Sequence, residues 1–288
     1  DHLPAEHKDL QVKDKLPPLA TLGPVVALLA ACLFFATQND RFLSGGNFSL
    51  ILQQVMVVGV MAIGQTLIIL TAGIDLSCGM VMALGGIVMS KFATELGLPP
   101  MLAVLCGMGV TAVFGLINGL LVTRIKLPPF IDTLGTMNIA FAITQLYSNS
   151  QTVTDLPVLM TALGNTFEIG HTEVAWGSVL MLLLYGLAWF VLRETAVGRH
   201  VYAVGNNAET TRLVGISTQR VLLGVYLMAG ICYGTASLLS VARTGVGDPN
   251  AGQTDNLDAI TAVVLGGTSL FGGRGGVLGS LVGALIVG

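Results

Sequence analysis

Charge is what this chain lacks. Among its 288 residues only 13 are lysine or arginine and 16 are aspartate or glutamate, a tenth of the total. A water-soluble domain of this length carries roughly 25 % charged residues to cover its surface. The charges that exist sit in short stretches between long uncharged runs, so most of the chain is not made for water. Aromatic residues are also few, at 6 %. The formal net charge of −3 and a pI near 5.7 leave no basic surface for nucleic acid. The four cysteines, Cys32, Cys78, Cys106 and Cys232, lie in or beside apolar runs with no CxxC or ligand-like spacing. They read as small buried hydrophobes and not as a metal centre. The four histidines, His2, His7, His171 and His200, fall in the tail or in connecting stretches. A proton relay or a metal site within an apolar run would lack its usual residue.

What is present is hydrophobic: 53 % of the residues, with mean hydropathy +0.80. About 20 apolar residues at 1.5 Å rise cross a bilayer. Spans are expected at Leu19–Ala36, Ser49–Ala72, Cys78–Leu96, Met101–Thr123, Phe130–Tyr147, Val174–Leu192 and Val221–Ala242. A shorter apolar piece covers Leu257–Phe271, and another begins at Val277. The runs are too long for barrel strands and do not alternate, so the expected fold is an all-α polytopic membrane bundle. Leu29-Ala30-Ala31-Cys32 resembles a lipoprotein cleavage box, but the apolar run continues beyond the cysteine and reads as a span. The final apolar run reaches Gly288 after 12 residues, too short to cross, and the chain starts at Asp1. The sequence is therefore expected to be a fragment.

Lysine and arginine set the orientation. With the tail 1–18 in the cytoplasm, Lys8, Lys13, Lys15, Arg124, Lys126, Arg193, Arg199, Arg212, Arg220 and Arg274 all fall inside. Arg41 and Arg243 fall outside, and Lys91 lies near an outer end. The loop Ser148–Glu173 holds neither lysine nor arginine, as an outer loop should.

Chemistry is expected where the apolar pattern breaks. Gly73, Asp75 and Ser77 lie in Thr71-Ala72-Gly73-Ile74-Asp75-Leu76-Ser77. Either this is a tight cytoplasmic turn, with Asp75 or Ser77 capping the next helix, or it is a broken helix beside a pathway. Within the inside loop 193–220, Asn206 or Asn207 can start a short helix over Ala208–Val214, with Glu209 in its first turn and Gly215 ending it. Leu213, Val214 and Ile216 supply an apolar face. Such a helix suits docking to a soluble partner or lying on headgroups. Asp248-Pro249-Asn250 reads as a rigid outer turn. Gly266, Gly267, Gly272, Gly273 and Gly275 lack the lysine of a phosphate loop. They read as the sharp turn of a re-entrant hairpin, with Gly275, Gly279 and Gly283 as a packing seam and Gly115/Gly119 and Gly230/Gly234 as similar ones. Gln65, Thr66, Asn118, Asn138, Thr144 and Gln145 could line a route for a neutral, hydroxyl-rich solute, or bond between helices.

Taken together, these stretches resemble the permease subunits of bacterial ATP-binding-cassette importers for monosaccharides, of the ribose, xylose, arabinose, galactose and fructose type. The matching stretches are Thr71–Ser77, Leu127–Met137, Gly205-Asn206-Asn207 through Gly215-Ile216, Gly247–Gly252, and Leu257-Asp258-Ala259-Ile260 through Gly276. The resemblance implies a pair of permease subunits, identical or related, around a central pathway. A cytoplasmic ATPase would carry the ATP and magnesium, a periplasmic sugar-binding protein would dock above, and this chain would hold no cofactor and perform no catalysis. Asn207, Glu209, Thr210, Thr211, Arg212, Leu213 and Gly215 would form the segment coupled to the ATPase. Two positions depart from the family pattern: Thr210-Thr211 where Ala-Ala is usual, and Asp132 where an apolar residue is usual. Family members extend past the position of Gly288. The rival reading is an ion-coupled secondary transporter of a small neutral solute, for which only Asp75 or Asp258 could carry the ion. A membrane enzyme fails for want of a nucleophile–base pair.

Overall fold

The computed structural model describes residues 19–288. The tail 1–18 lies outside them. Helix α1 covers Leu19–Gln38, α2 Gly45–Leu70, α3 Cys78–Thr94, α4 Pro100–Leu120 and α5 Pro129–Ser148. After a single turn, α6 (Val158–Thr161), come α7 (Trp176–Glu194), α8 (Ala196–Asn206), α9 (Ala208–Leu213), α10 (Thr218–Thr244), α11 (Asp255–Leu265) and α12 (Val277–Val287). Among the described residues, four helices are long and apolar enough to cross a membrane: α2, α4 with the π-helical turn Leu121–Ile125 that extends it, α7 and α10. α3 and the stretch Leu22–Gln38 of α1 are apolar but shorter. α5 has 20 residues but carries Asp132, Asn138, Gln145 and several threonines. This is a multi-pass helical membrane bundle.

α2 is its central post. Val60, Met61, Ala62, Ile68, Ile69 and Leu70 are fully enclosed, with α7, α10, α11 and α12 packed around them. Glycine sets how close the other helices come. Gly115 of α4 meets the backbone of Tyr226 and Gly230 of α10, and Gly230 in turn meets Thr111 and Ala112. The two glycine pairs thus face each other across one α4–α10 contact. Small residues permit such approach, which gains dispersion contacts that lipid cannot supply. α11 and α12 form an antiparallel pair in which Gly266 lies on Gly279 and Gly283 on Ala262. Gly275 does not join that seam. It sits in the turn at φ 118°, packed against Thr268.

Two features depart from the expected fold. The connection between α5 and α7 contains a small antiparallel hairpin, β1 (Thr166–Ile169) and β2 (Thr172–Ala175), turning at Gly170 with φ 66°. The Ser49 hydroxyl donates to the Glu173 carbonyl and anchors the hairpin to the top of α2. The connection between α7 and α10 holds a second helix, α8, before the expected short one. Thr195 caps it by accepting from the Gly198 N–H.

Candidate translocation site and coupling helix

The break between α2 and α3 is mostly buried, with Thr71, Gly73, Asp75 and Ser77 inside and Ala72 exposed. α2 ends with the Gly73 N–H donating to the Ile68 carbonyl and the Ala72 N–H to that of Ile69. The left-handed residue of this cap is Ala72, at φ 62°, and not the glycine beside it. Gly73 is small for another reason: a Cβ there would lie 3.1 Å from the Tyr226 hydroxyl. Asp75, at 1 % exposure, accepts from the Ser77 N–H (2.8 Å) and the Ser77 hydroxyl (2.6 Å) through Oδ1. Neither residue caps α3 in the expected way. Ser77 makes no capping bond, because its hydroxyl is held between Asp75 and Asn118, whose Nδ2 donates to it at 3.0 Å.

Other elements close on the same segment. Gln65 donates to the Asp75 carbonyl (2.8 Å) and accepts from the Tyr233 hydroxyl (3.3 Å). The Thr133 hydroxyl accepts from the Leu76 N–H and bonds the Ile74 carbonyl. Asn256 donates to the Leu76 carbonyl at 3.2 Å. Five helices therefore converge on seven residues of irregular backbone. The α4 rod continues to Ile125, seven residues beyond Asn118 and about 10 Å further along its axis. Gly73, Asp75 and Ser77 are thus buried in the bundle, where surrounding protein satisfies much of the backbone of the break, while Ala72 at its start remains exposed. Among the described residues, Asp75 Oδ2, Asn118 Oδ1, both Asp132 carboxylate oxygens and the Tyr226 hydroxyl are buried without a hydrogen-bond partner.

The remaining polar candidates divide. Thr66 bonds Ser280 at 2.7 Å, joining α2 to α12. Thr144 and Asn138 bond carbonyls of their own helix. Gln145 reaches across to the Pro249 carbonyl and to Asn250 Oδ1 at 3.1 Å. That contact relocates the stretch Asp248-Pro249-Asn250. It does not lie flat across the outer ends. Gly247 packs on Ser90 and Gly86, and Gly252 on Gly79, so the chain descends along α3 from its last turns to its first. A larger crevice of about 380 Å³ lies between α2, α7, α8 and α10. Apart from His200 and Arg220 it is apolar, with little to offer a hydroxyl-rich solute.

Helix α9 forms as its sequence suggests. Asn207 accepts the Thr210 N–H at 2.9 Å, and the Gly215 and Ile216 N–H groups return to the carbonyls of Arg212 and Thr211. Gly215 takes φ 91°. Glu209 and Arg212 form an exposed pair at 3.8 Å. Thr211 faces inward, its hydroxyl bonded to the Asn207 carbonyl, while Leu213 and Val214 are 76 % and 69 % exposed. Just before this helix, Gly205 touches the Leu70 carbonyl at the end of α2 and Gly273 in the glycine-rich turn. The Gly273 N–H donates to that same carbonyl, and the Tyr202 hydroxyl to the Gly275 carbonyl. With glycine at these positions, three backbones meet at one point.

Residues 47–288 match the family described as branched-chain amino acid transport system, permease component. The fructose import permease protein of Rhizobium meliloti is 45 % identical over 274 residues, covering 93 % of this chain and 76 % of its own. The ribose import permease protein of Bacillus subtilis is 37 % identical, covering 93 % and 82 %. An inner membrane ABC transporter permease protein of Escherichia coli is 34 % identical, covering 96 % and 83 %. The chain belongs to this permease family. It is a membrane subunit of a sugar-importer type, and its relatives are named as permeases, not as enzymes. Of the stretches that carry the resemblance, 71–77, 247–252 and the glycine-rich end of 257–276 lie where the structure leaves regular helix, while Leu127–Met137 runs into α5 and 205–216 holds α9.

Proposed function

We propose that the permease carries a monosaccharide, a pentose or hexose such as ribose, xylose or fructose, across the bacterial inner membrane as part of an ATP-driven importer. Two permease subunits, identical or related, enclose the pathway. A separate cytoplasmic ATPase binds ATP and magnesium, and a periplasmic binding protein delivers the sugar. The N-terminus and the loop 193–220 face the cytoplasm, in keeping with the lysine and arginine bias.

The observation that carries this reading is α9: a helix capped at both ends, held between two spans, whose last turn exposes Leu213 and Val214 beside the Glu209–Arg212 pair. An apolar tip with a charged flank fits a groove on a soluble motor. The contact of Gly205, Gly273 and Leu70 supports transmission inward, because a displaced α9 pulls on the end of α2 and on the turn before α12. The permease then needs only two arrangements close in energy, which ATP binding and hydrolysis tip in turn.

Leu213→Pro removes the helix without touching a span. With the ATPase and binding protein present, it should abolish sugar-stimulated ATP hydrolysis while membrane insertion stays normal. Undiminished stimulation would refute the docking assignment. Sugar uptake that collapses with an uncoupler while cellular ATP stays high would favour the ion-coupled alternative.

A further inference from the structure

A cavity of about 320 Å³ lies where α3, α5 and the start of α11 meet. Met80, Met137, Asn138, Phe141, Gln253 and Asn256 line it, without a single charge. The geometry points to this cavity as the seat of the sugar during passage, with Asn138, Gln253 and Asn256 binding its hydroxyls and Phe141 covering its C–H face. The inference rests on the monosaccharide reading and adds the residues that touch the solute.

Three observations converge. First, the chemistry suits a neutral polyol. Carboxamides offer both donors and acceptors, and an aromatic face packs on apolar C–H groups. Such a wall holds hydroxyls without the fixed charge that would trap an ion, and the volume lies within the usual range for a small-molecule pocket. Second, the amides continue as a ladder. Gln253 donates to Asn250 Oδ1 at 3.1 Å, and Gln145 donates to the same oxygen at 3.1 Å. Asn138 and Gln145 lie two turns apart on α5, so the ladder runs about 10 Å along the helix. It exists because the 245–254 segment descends beside α3 and sets its amides opposite those of α5. Third, the cavity is incomplete as a hydrogen-bonded structure. Asn256 is 9 % exposed, and its amide donates to the Leu76 carbonyl while its Oδ1 has no partner. An unfilled buried acceptor favours a ligand hydroxyl.

Asn256 also links occupancy to the break. It touches the cavity on one side and the backbone of the 71–77 segment on the other, so a bound sugar bears on the residues that follow directly on α2.

The test measures uptake of radiolabelled D-fructose and D-ribose, together with binding-protein-stimulated ATP hydrolysis, in membranes holding the permease with its ATPase and binding protein. Phe141→Ala, Asn138→Leu and Gln253→Leu alter cavity side chains that are at least partly exposed, so folding is not threatened. Each should lower sugar moved per ATP hydrolysed by about tenfold, one hydrogen bond or stacking contact's worth, with stimulated hydrolysis within about twofold of the parent. Phe141→Tyr, which keeps the ring, should restore uptake. Uptake unchanged in all three variants, with the parent active, overturns the cavity assignment and leaves the importer reading intact. Uptake and hydrolysis falling together would show a structural role and overturn it equally. A parent that moves neither these two nor any other radiolabelled pentose or hexose overturns the monosaccharide reading, and the cavity assignment with it.

Discussion

Ala72 shows how a single residue can sit against its preference. An alanine in the left-handed region costs about 1–2 kcal/mol, yet here it closes α2 at φ 62°. Glycine would take that conformation freely, at some cost in chain entropy. Ala72→Gly should therefore stabilise the permease by about 0.5–1 kcal/mol in thermal unfolding in detergent. No change, or a loss, would mean that the alanine methyl, which is near Gly272, contributes packing that outweighs the strain. The capping residues of α9 were legible in the sequence, because an Asn side chain reaching an N–H three residues on is local chemistry. The roles of Asp75 and Ser77 were not. Both looked like caps, but Asn118, 41 positions away from Ser77, turns the serine hydroxyl into part of a buried network.

Between elements, backbone proximity decides. The α4–α10 contact depends on Gly115 and Gly230. A Cβ on Gly230 would stand 2.6 Å from the Thr111 carbonyl oxygen, a rigid backbone atom that cannot swing away. Gly230→Val should force the helices apart and cost about 1–3 kcal/mol, seen as a lower unfolding temperature and faster proteolysis of the purified subunit. A substitution at Gly186 of α7, where a Cβ would meet nothing, should leave both measures unchanged. Each of the seven long apolar runs read from the sequence falls on a helix, but only four of those helices, among the described residues, are long and apolar enough to cross a membrane. The α11 limb was overestimated, because the apolar piece read as Leu257–Phe271 leaves the helix at Leu265. Glycines at 267, 272 and 273, all with positive φ, carry the rest as a turn. Helix α8 was missed because its residues, including Arg199 and His200, break the apolar signal that marks a span.

For the whole molecule, orientation and coupling can be tested together. Cysteines placed at Gly170 in the hairpin turn and at Val214 on α9 should label from opposite sides of the membrane with an impermeant maleimide. In intact cells the outer position should react, and the inner one only after permeabilisation. Reaction of Val214→Cys in sealed cells would place α9 outside and remove the cytoplasmic motor from the proposal. The same framework explains why the amide-lined cavity is built from parts distant in the chain. Met80 and Gln253 are far apart in sequence but adjacent in space, because the 245–254 segment returns along α3, where Gly252 packs directly on Gly79.

By itself the sequence determined the class of the molecule, its bias of positive charge and the one short capped helix between two apolar helices. Each of these depends on hydropathy or on hydrogen bonds that close within a few residues. The tertiary structure alone decided which polar side chains share a site. Gln65 with Tyr233, Asn118 with Ser77, and Gln145 with Asn250 join residues between 41 and 168 positions apart. No local period encodes such pairs. They arise because irregular backbone in an apolar surround must find its partners wherever the packing of the helices brings them.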